Sequence, residues 1–246
     1  MEKAKIAMDA YHTTRTHVPE FFAKRKVNGA DVVAQMKLLC FAPLPETTKE
    51  GYRVVLCKLT DFDASKFNYV DCIKLFTMIT DLWLMEDGIA EGHAIVVDME
   101  GATLAHLAKV QINALKKFMY YIQEALPVRL KGLHFINTVS FMDKLLALMK
   151  PFMKKELMEV MHLHSTMDTF FDKYVPMALM PNEYGGSAGT VKEIQEKNYQ
   201  QLMENDAFFV NEEINKRVNE KLRPGKPKSE SDLFGIDGNF KQLSFD

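Results

Sequence analysis

No stretch of this chain reaches the roughly 18 consecutive apolar residues that a membrane-spanning helix needs, so no span is expected. The opening residues, MEKAKIAMDAYHTTR, hold no apolar core segment, and no signal peptide is expected either. Cysteine is scarce: Cys40, Cys57 and Cys72 are the three present. An odd number without CxxC or metal-ligand spacing argues against a disulfide framework and for free, buried thiols in a reducing, cytoplasmic setting. Charge of one sign is also missing. A formal net charge of -2 gives no electrostatic ground for nucleic-acid binding.

Catalytic signatures are missing too. There is no G-x-G-x-x-G fingerprint. Gly185-Gly186-Ser187-Ala188-Gly189 is glycine-rich but is not followed by Lys-Ser/Thr, so it is no phosphate loop. Ser140 and Ser165 lack the G-x-S-x-G elbow of a hydrolase. No nucleophile, base and orienting group come together. These absences turn the reading from enzyme to binder, with no cofactor expected.

What is present is a hydrophobic fraction of 47%, including 16 methionines, on a 246-residue chain. That suits one large domain with extensions. The pattern alternates. A helix is expected over 3–25 with a break at Pro19, then a loop over 42–51 and a first strand, Tyr52–Leu59. A helix over Asn68–Glu86 and a buried strand opened by Gly92 follow. A long helix over Leu104–Leu126 and a strand over Leu130–Asn137 come next. A short alternating segment, Met161–Ser165, ends the series. This order predicts an α/β domain with a mainly parallel sheet. Residues 190–222 read as polar helix. The tail from Arg223 reads as loop, with Leu233, Phe234, Phe240, Leu243 and Phe245 available to fold back. No internal repeat is visible.

The segment after the Leu130–Asn137 strand is the greasiest helix. Phe141, Met142, Leu145, Leu146, Leu148, Met149, Phe152 and Met153 fall on one arc, and Asp143, Lys144, Lys150 and Lys154 on the other. Pro151 kinks it. A Met-rich inner face suits a lid, because methionine repacks easily around a ligand or around nothing. His162 and His164 share one strand face and offer two ligands where a zinc site needs more, so no metal is expected. Asp98 and Glu100, at the end of a buried strand, read either as paired carboxylates or as acceptors for backbone N–H groups.

The runs GLHFINT, KPF, HLHS and LMPNEYGGSAG, with GHAIVVDMEG upstream, resemble the CRAL-TRIO (Sec14-like) lipid-binding family. The tail LFGIDGNFKQLSFD resembles insect members of its tocopherol- and retinaldehyde-binding branch. The resemblance implies a sheet forming the floor of an apolar cavity, helices around it and a helical lid over Asn137–Val160. Gly132 and the loop at Met161 are expected near the ends of that lid. It divides the chain into a truncated N-terminal helical segment over 1–41, the lipid-binding domain over 42–190, and C-terminal helices and tail over 191–246.

The inner faces of the helices and strands carry Ile73, Phe76, Thr77, Thr80, Ile95, Val97, Ile122, Leu126, Leu133 and Phe135, with Met142, Leu146, Met149 and Met153 of the lid, and the resemblance implies ligand contacts on these elements. The competing reading of these residues is a solid core. Thr77 and Thr80, polar at core spacing, are expected to meet a ligand hydroxyl. Arg129, Lys131, Lys150, Lys154 and Lys155 are read as contacts to anionic lipid or as a solvated face. Arg129 and Lys131 match basic positions at which relatives hold a phosphoinositide. Glu156 and Val160 replace two others, and Lys24, Arg25 and Lys26 stand as substitutes. The expected protein is a monomer that carries one hydrophobic small molecule and touches anionic membrane transiently. A phosphatidylinositol or phospholipid module is the alternative.

Overall fold

Pro19 ends one helix and begins another. α1 (Glu2–His17) stops where the proline ring can donate no N–H, and α2 (Pro19–Phe22) starts with that ring in its first turn. The computed structural model describes residues 2–88 and 90–235. α3 (Ala30–Leu38) runs straight into β1 (Leu39–Pro43). β1 pairs antiparallel with β2 (Tyr52–Leu59), from Leu39↔Leu59 to Pro43↔Val55. The expected loop therefore starts later than residue 42, and Tyr52–Leu59 is the second strand, not the first. Pro43 lies at the end of an edge strand, where a missing donor costs least.

α4 (Tyr69–Asp87) is capped by Asn68, whose side chain accepts from the backbone N–H of Val70 at 3.1 Å and of Asp71 at 3.3 Å. β3 (Gly92–Asp98) follows. The expected long helix over 104–126 is instead broken into α5 (Leu104–Leu107), α6 (Ile112–Tyr120) and a π turn over Tyr121–Ala125. No proline or glycine causes the break. Tertiary contacts do: Lys109 donates to the Ser65 carbonyl at 2.9 Å, and the His106 ring meets Phe67 edge to face at 5.3 Å. These hold the first turn against the loop before α4.

β4 (Leu130–Ile136) leads to α7 (Met142–Met149), a 3-10 turn at Lys150–Phe152 that holds Pro151, and α8 (Lys155–Glu159). β5 (Met161–Leu163), α9 (Met167–Lys173), α10 (Val191–Glu204), α11 (Asp206–Asn215) and α12 (Glu230–Phe234) complete the order. Leu233 and Phe234 pack back onto the body. Phe240, Leu243 and Phe245 lie outside the described residues.

The sheet order is β1-β2-β3-β4-β5, with β2 to β5 parallel. Right-handed crossovers between successive neighbours put all three connecting segments on one face. The side chains obey this. Val55, Cys57, Leu133 and Phe135 join the core under α4, α6 and α7. Val54, Leu56, Ala94, Val96 and Ile136 join a second core with Phe170, Val175, Met180, Val191 and Ile194. Burial on both faces is why these strands read as continuous apolar runs.

α4 is clamped from its outer side. Arg15 and Arg25, both fully buried, grip Asp81 of α4 and Glu212 of α11. Arg25 reaches Asp81 at 2.7 Å, and Arg217 adds a bond to Glu212 at 2.6 Å. Burial alone would raise the pKa of Asp81. The two guanidiniums overcome it and hold the carboxyl below its ordinary range.

Candidate ligand-binding cavity

Between the sheet and the helices lies a cavity of about 300 Å³. At about 30 Å³ per liquid water this is the room of roughly ten waters, whereas packing defects in protein cores seldom exceed one. Its floor is Ile95 and Val97 of β3 with Leu133 and Phe135 of β4. Ile73 and Phe76 of α4 form one wall. Leu115, Phe118 and Met119 of α6 and Ile122 of the π turn form another. Phe141, Leu145 and Met149 form the roof, and Met99, Ala102, Thr103, His106, Leu107 and Val110 line the end nearest α5.

The structure thus brings Ile73, Phe76, Ile95, Val97, Ile122, Leu133, Phe135 and Met149 of the expected set together around one space. Six others lie off it. Thr77 donates to the Lys74 carbonyl at 2.8 Å, and Thr80 to the Phe76 carbonyl at 2.7 Å. Both hydroxyls bond back onto their own helix and are not turned to a ligand. α4 is buried at every residue from Cys72 to Trp83, so its periodicity could not tell the cavity side from the clamped side. On α7 the roof is Phe141–Leu145–Met149, one residue or about 100° from the expected Met142–Leu146 stripe. Met142, Leu146 and Met153 are buried but do not line the cavity, and Leu126 packs in the core after the π turn.

Polar groups gather at the carboxyl end of β3. Asp98 accepts from the Glu100 backbone N–H and from Asn137 Nδ2, each at 2.9 Å, and from the Tyr184 hydroxyl. Lys58 pairs with Asp98 and Glu100, both at 3.3 Å. Asp98 is therefore a structural acceptor, and Lys58 bridges it to the exposed Glu100. Burial, reinforced by the bond to Asp98, keeps the Tyr184 hydroxyl protonated far above its ordinary range. Asn137 has φ 48°, a left-handed conformation that asparagine tolerates better than most residues, and it marks where strand turns into roof. Gly132, expected near a lid end, sits inside β4 instead. A Cβ there would meet His134 Nε2 at 2.1 Å.

His162 and His164 are joined on the far face by His134, a neighbour that spacing could not reveal. His134 pairs across β4 and β5 with His162, and its Nδ1 lies 3.0 Å from His164 Nε2. Among the described residues no group of His, Cys, Asp and Glu suits a metal ion. Arg129, Lys131, Lys150, Lys154 and Lys155 are all exposed. Arg129 approaches Glu91 at 4.0 Å, Lys154 meets Glu124, and Lys155 meets Glu159 at 3.6 Å. Arg25 belongs to the buried clamp, which removes it as a substitute headgroup contact. Among the described residues no helix is long and apolar enough to cross a membrane.

The family model of the CRAL/TRIO domain matches residues 40–186, more than half of the chain. The chain belongs to the CRAL/TRIO domain family. It is 27% identical over 181 residues to "Alpha-tocopherol transfer protein-like" of Homo sapiens, a match covering 73% of this chain and 52% of that protein. It is 20% identical over 137 residues to Clavesin-2 of Mus musculus, covering 55% and 42%. The chain spans about half the length of the curated relatives it matches. A crystal structure of Sfh5 superposes with a TM-score of 0.50 at 14% identity, over 80% of this chain and 69% of that one. The CRAL/TRIO match begins at β1, the strand that the sequence pattern concealed.

Proposed function

We propose that this CRAL/TRIO protein binds one small hydrophobic molecule (a retinoid, tocopherol, carotenoid or similar) and transfers it between membranes, without catalysing a reaction. The observation that carries this reading is the apolar cavity of about 300 Å³ roofed by α7. That volume lies at the small end of ligand sites, which favours a single-chain molecule over a two-chain phospholipid. Burying about 20 carbons at ~0.8 kcal/mol each is worth on the order of 10 kcal/mol before association costs, so release through a static wall is very slow. In this reading Asn137–Val160 opens as a gate at an anionic membrane. Arg129, Lys131, Lys150, Lys154 and Lys155 supply the attraction. The segment 42–190 is the binding unit, with 1–41 and 191–246 supporting it. The protein works in the cytoplasm as a monomer.

Native mass spectrometry of the gently purified protein, followed by identification of the released molecule, tests this. One small hydrophobic molecule per chain is expected. A diacyl phospholipid would favour the alternative of a phospholipid-binding module, which the five exposed cations also suit. Failure to bind any apolar probe would overturn both.

A further inference from the structure

One side chain on the cavity wall has a polar atom with no partner. His106 is 6% exposed and lines the cavity near its α5 end. Its Nδ1 lies 3.2 Å from the backbone nitrogen of Thr103, and the Thr103 hydroxyl is 2.9 Å from the same atom. A backbone N–H can only donate, so Nδ1 is the acceptor nitrogen. In the neutral ring the proton then sits on Nε2. Burial, helped by Lys109 and opposed by Asp63, holds the imidazole below its ordinary pKa and so keeps it neutral. Nε2 has no hydrogen-bond partner and less than 1 Å² of accessible surface, so a ligand oxygen meets it with a slight turn of the ring. A buried donor in that state is destabilising until something accepts from it. Of the other polar groups on the wall, Lys58 and Asp98 bond to each other and Cys72 to Gln35 Oε1 at 3.1 Å, while the hydroxyl of half-buried Tyr69 is a second polar group there. The nearby Phe67 ring offers at most a weak N–H···π contact.

We propose that His106 is the polar anchor of the cavity, its Nε2–H donating to an acceptor oxygen at one end of an otherwise hydrocarbon ligand. The class selected is the oxygenated single-chain lipid, an alcohol, aldehyde or ketone, over a hydrocarbon of the same shape. This deepens the carrier reading and rests on it. The capping geometry fixes the tautomer, so α5, a single turn, also sets the specificity. His106 is here a specificity-determining residue, and no bond is made or broken.

The test uses two fluorescent polyenes that differ by one oxygen: retinol and its deoxy analogue axerophthene. Affinities of both are measured for the full chain and for His106→Leu. The ratio of ratios cancels the different solubilities of the probes. Removing the donor is expected to cut the preference for retinol about tenfold, while axerophthene binding changes by less than threefold. His106→Gln, which keeps a donor and an acceptor, should retain part of the preference. In ¹⁵N NMR the Nε2 proton should move downfield with retinol and stay put with axerophthene. A ratio of ratios near one, or an Nε2 proton indifferent to the oxygen, overturns the anchor and leaves the carrier standing. Failure of both probes to bind the unmodified protein overturns the carrier reading, and the anchor with it. If His106→Leu does not fold, His106→Gln and the NMR shift decide.

Discussion

Val96 and Val97 are adjacent on β3 and differ in which face of the sheet they join. Val96 is fully buried in a core that combines small residues, Cys40, Ala42 and Ala94, with Phe170, Met180 and Ile194. Val97 is half-buried and borders the cavity. Both faces are apolar, so hydrophobicity alone does not make a binding site. On the far face, loops and α9 press large side chains directly onto small ones. On the near face, α4, α6 and α7 stand off from the strands. α4 is held from behind by the Arg15–Arg25–Asp81–Glu212 clamp as well as by the core. The open face keeps its space because its wall is anchored elsewhere.

The largest way to break that arrangement is at the clamp. Asp81→Ala leaves two buried guanidiniums sharing Glu212 and is expected to cost about 3–5 kcal/mol. Urea unfolding monitored by circular dichroism measures it. A loss below about 1 kcal/mol would mean the charges are not doing the anchoring.

The two valines sharpen the comparison directly. Val96→Phe overpacks a filled core and should cost about 1–3 kcal/mol. Val97→Phe enters open space, so stability should stay within about 1 kcal/mol of the parent while apolar probe binding falls at least tenfold. Equal destabilisation by both changes would show that the near face is as full as the far one.

The far face also carries an acid-sensitive group. Burial first, then His164 and His162, lowers the pKa of His134 on the far face to about 3. A histidine of ordinary pKa about 6.5 in the unfolded chain binds its proton earlier than the folded one does. The stability it contributes is complete above pH 6.5 and is lost as pH falls from there towards 3. About 2 kcal/mol should disappear between pH 7 and pH 5. His134→Leu should flatten that slope in urea titrations at the two pH values. An unchanged slope would assign the acid sensitivity to other groups.

Much of the frame was legible in order of residues. The pattern predicts strands over 52–59, 94–99 and 130–137, the middle one from a run too apolar for one buried face, and they lie at 52–59, 92–98 and 130–136. The α4 start came from Asn68, and the break at Pro151 from its ring. β1 was not legible, because a five-residue edge strand beside APLPETT is defined by its pairing with β2 and by nothing local. The split at 107–112 was hidden for a similar reason, since Lys109 and His106 find their partners on a loop some forty residues earlier. Among the site residues, the strand positions fell where expected because period two leaves only two choices. Thr77, Thr80, Met142 and Leu146 did not, because a helix buried all round carries no mark of which side meets a void.

By itself, then, the chain determined an α/β sheet with apolar faces and a Met-rich roof helix. Tertiary structure decided which side chains surround the space and that His106, on its wall, keeps an unmatched donor. It also joined His134 to His162 and His164, and it buried Arg25 in the clamp. The physical reason is common to all four. Periodicity records how much of a residue is buried, while a cavity, a cluster or an ion network depends on what lies opposite, and that is set by chain segments far away in sequence.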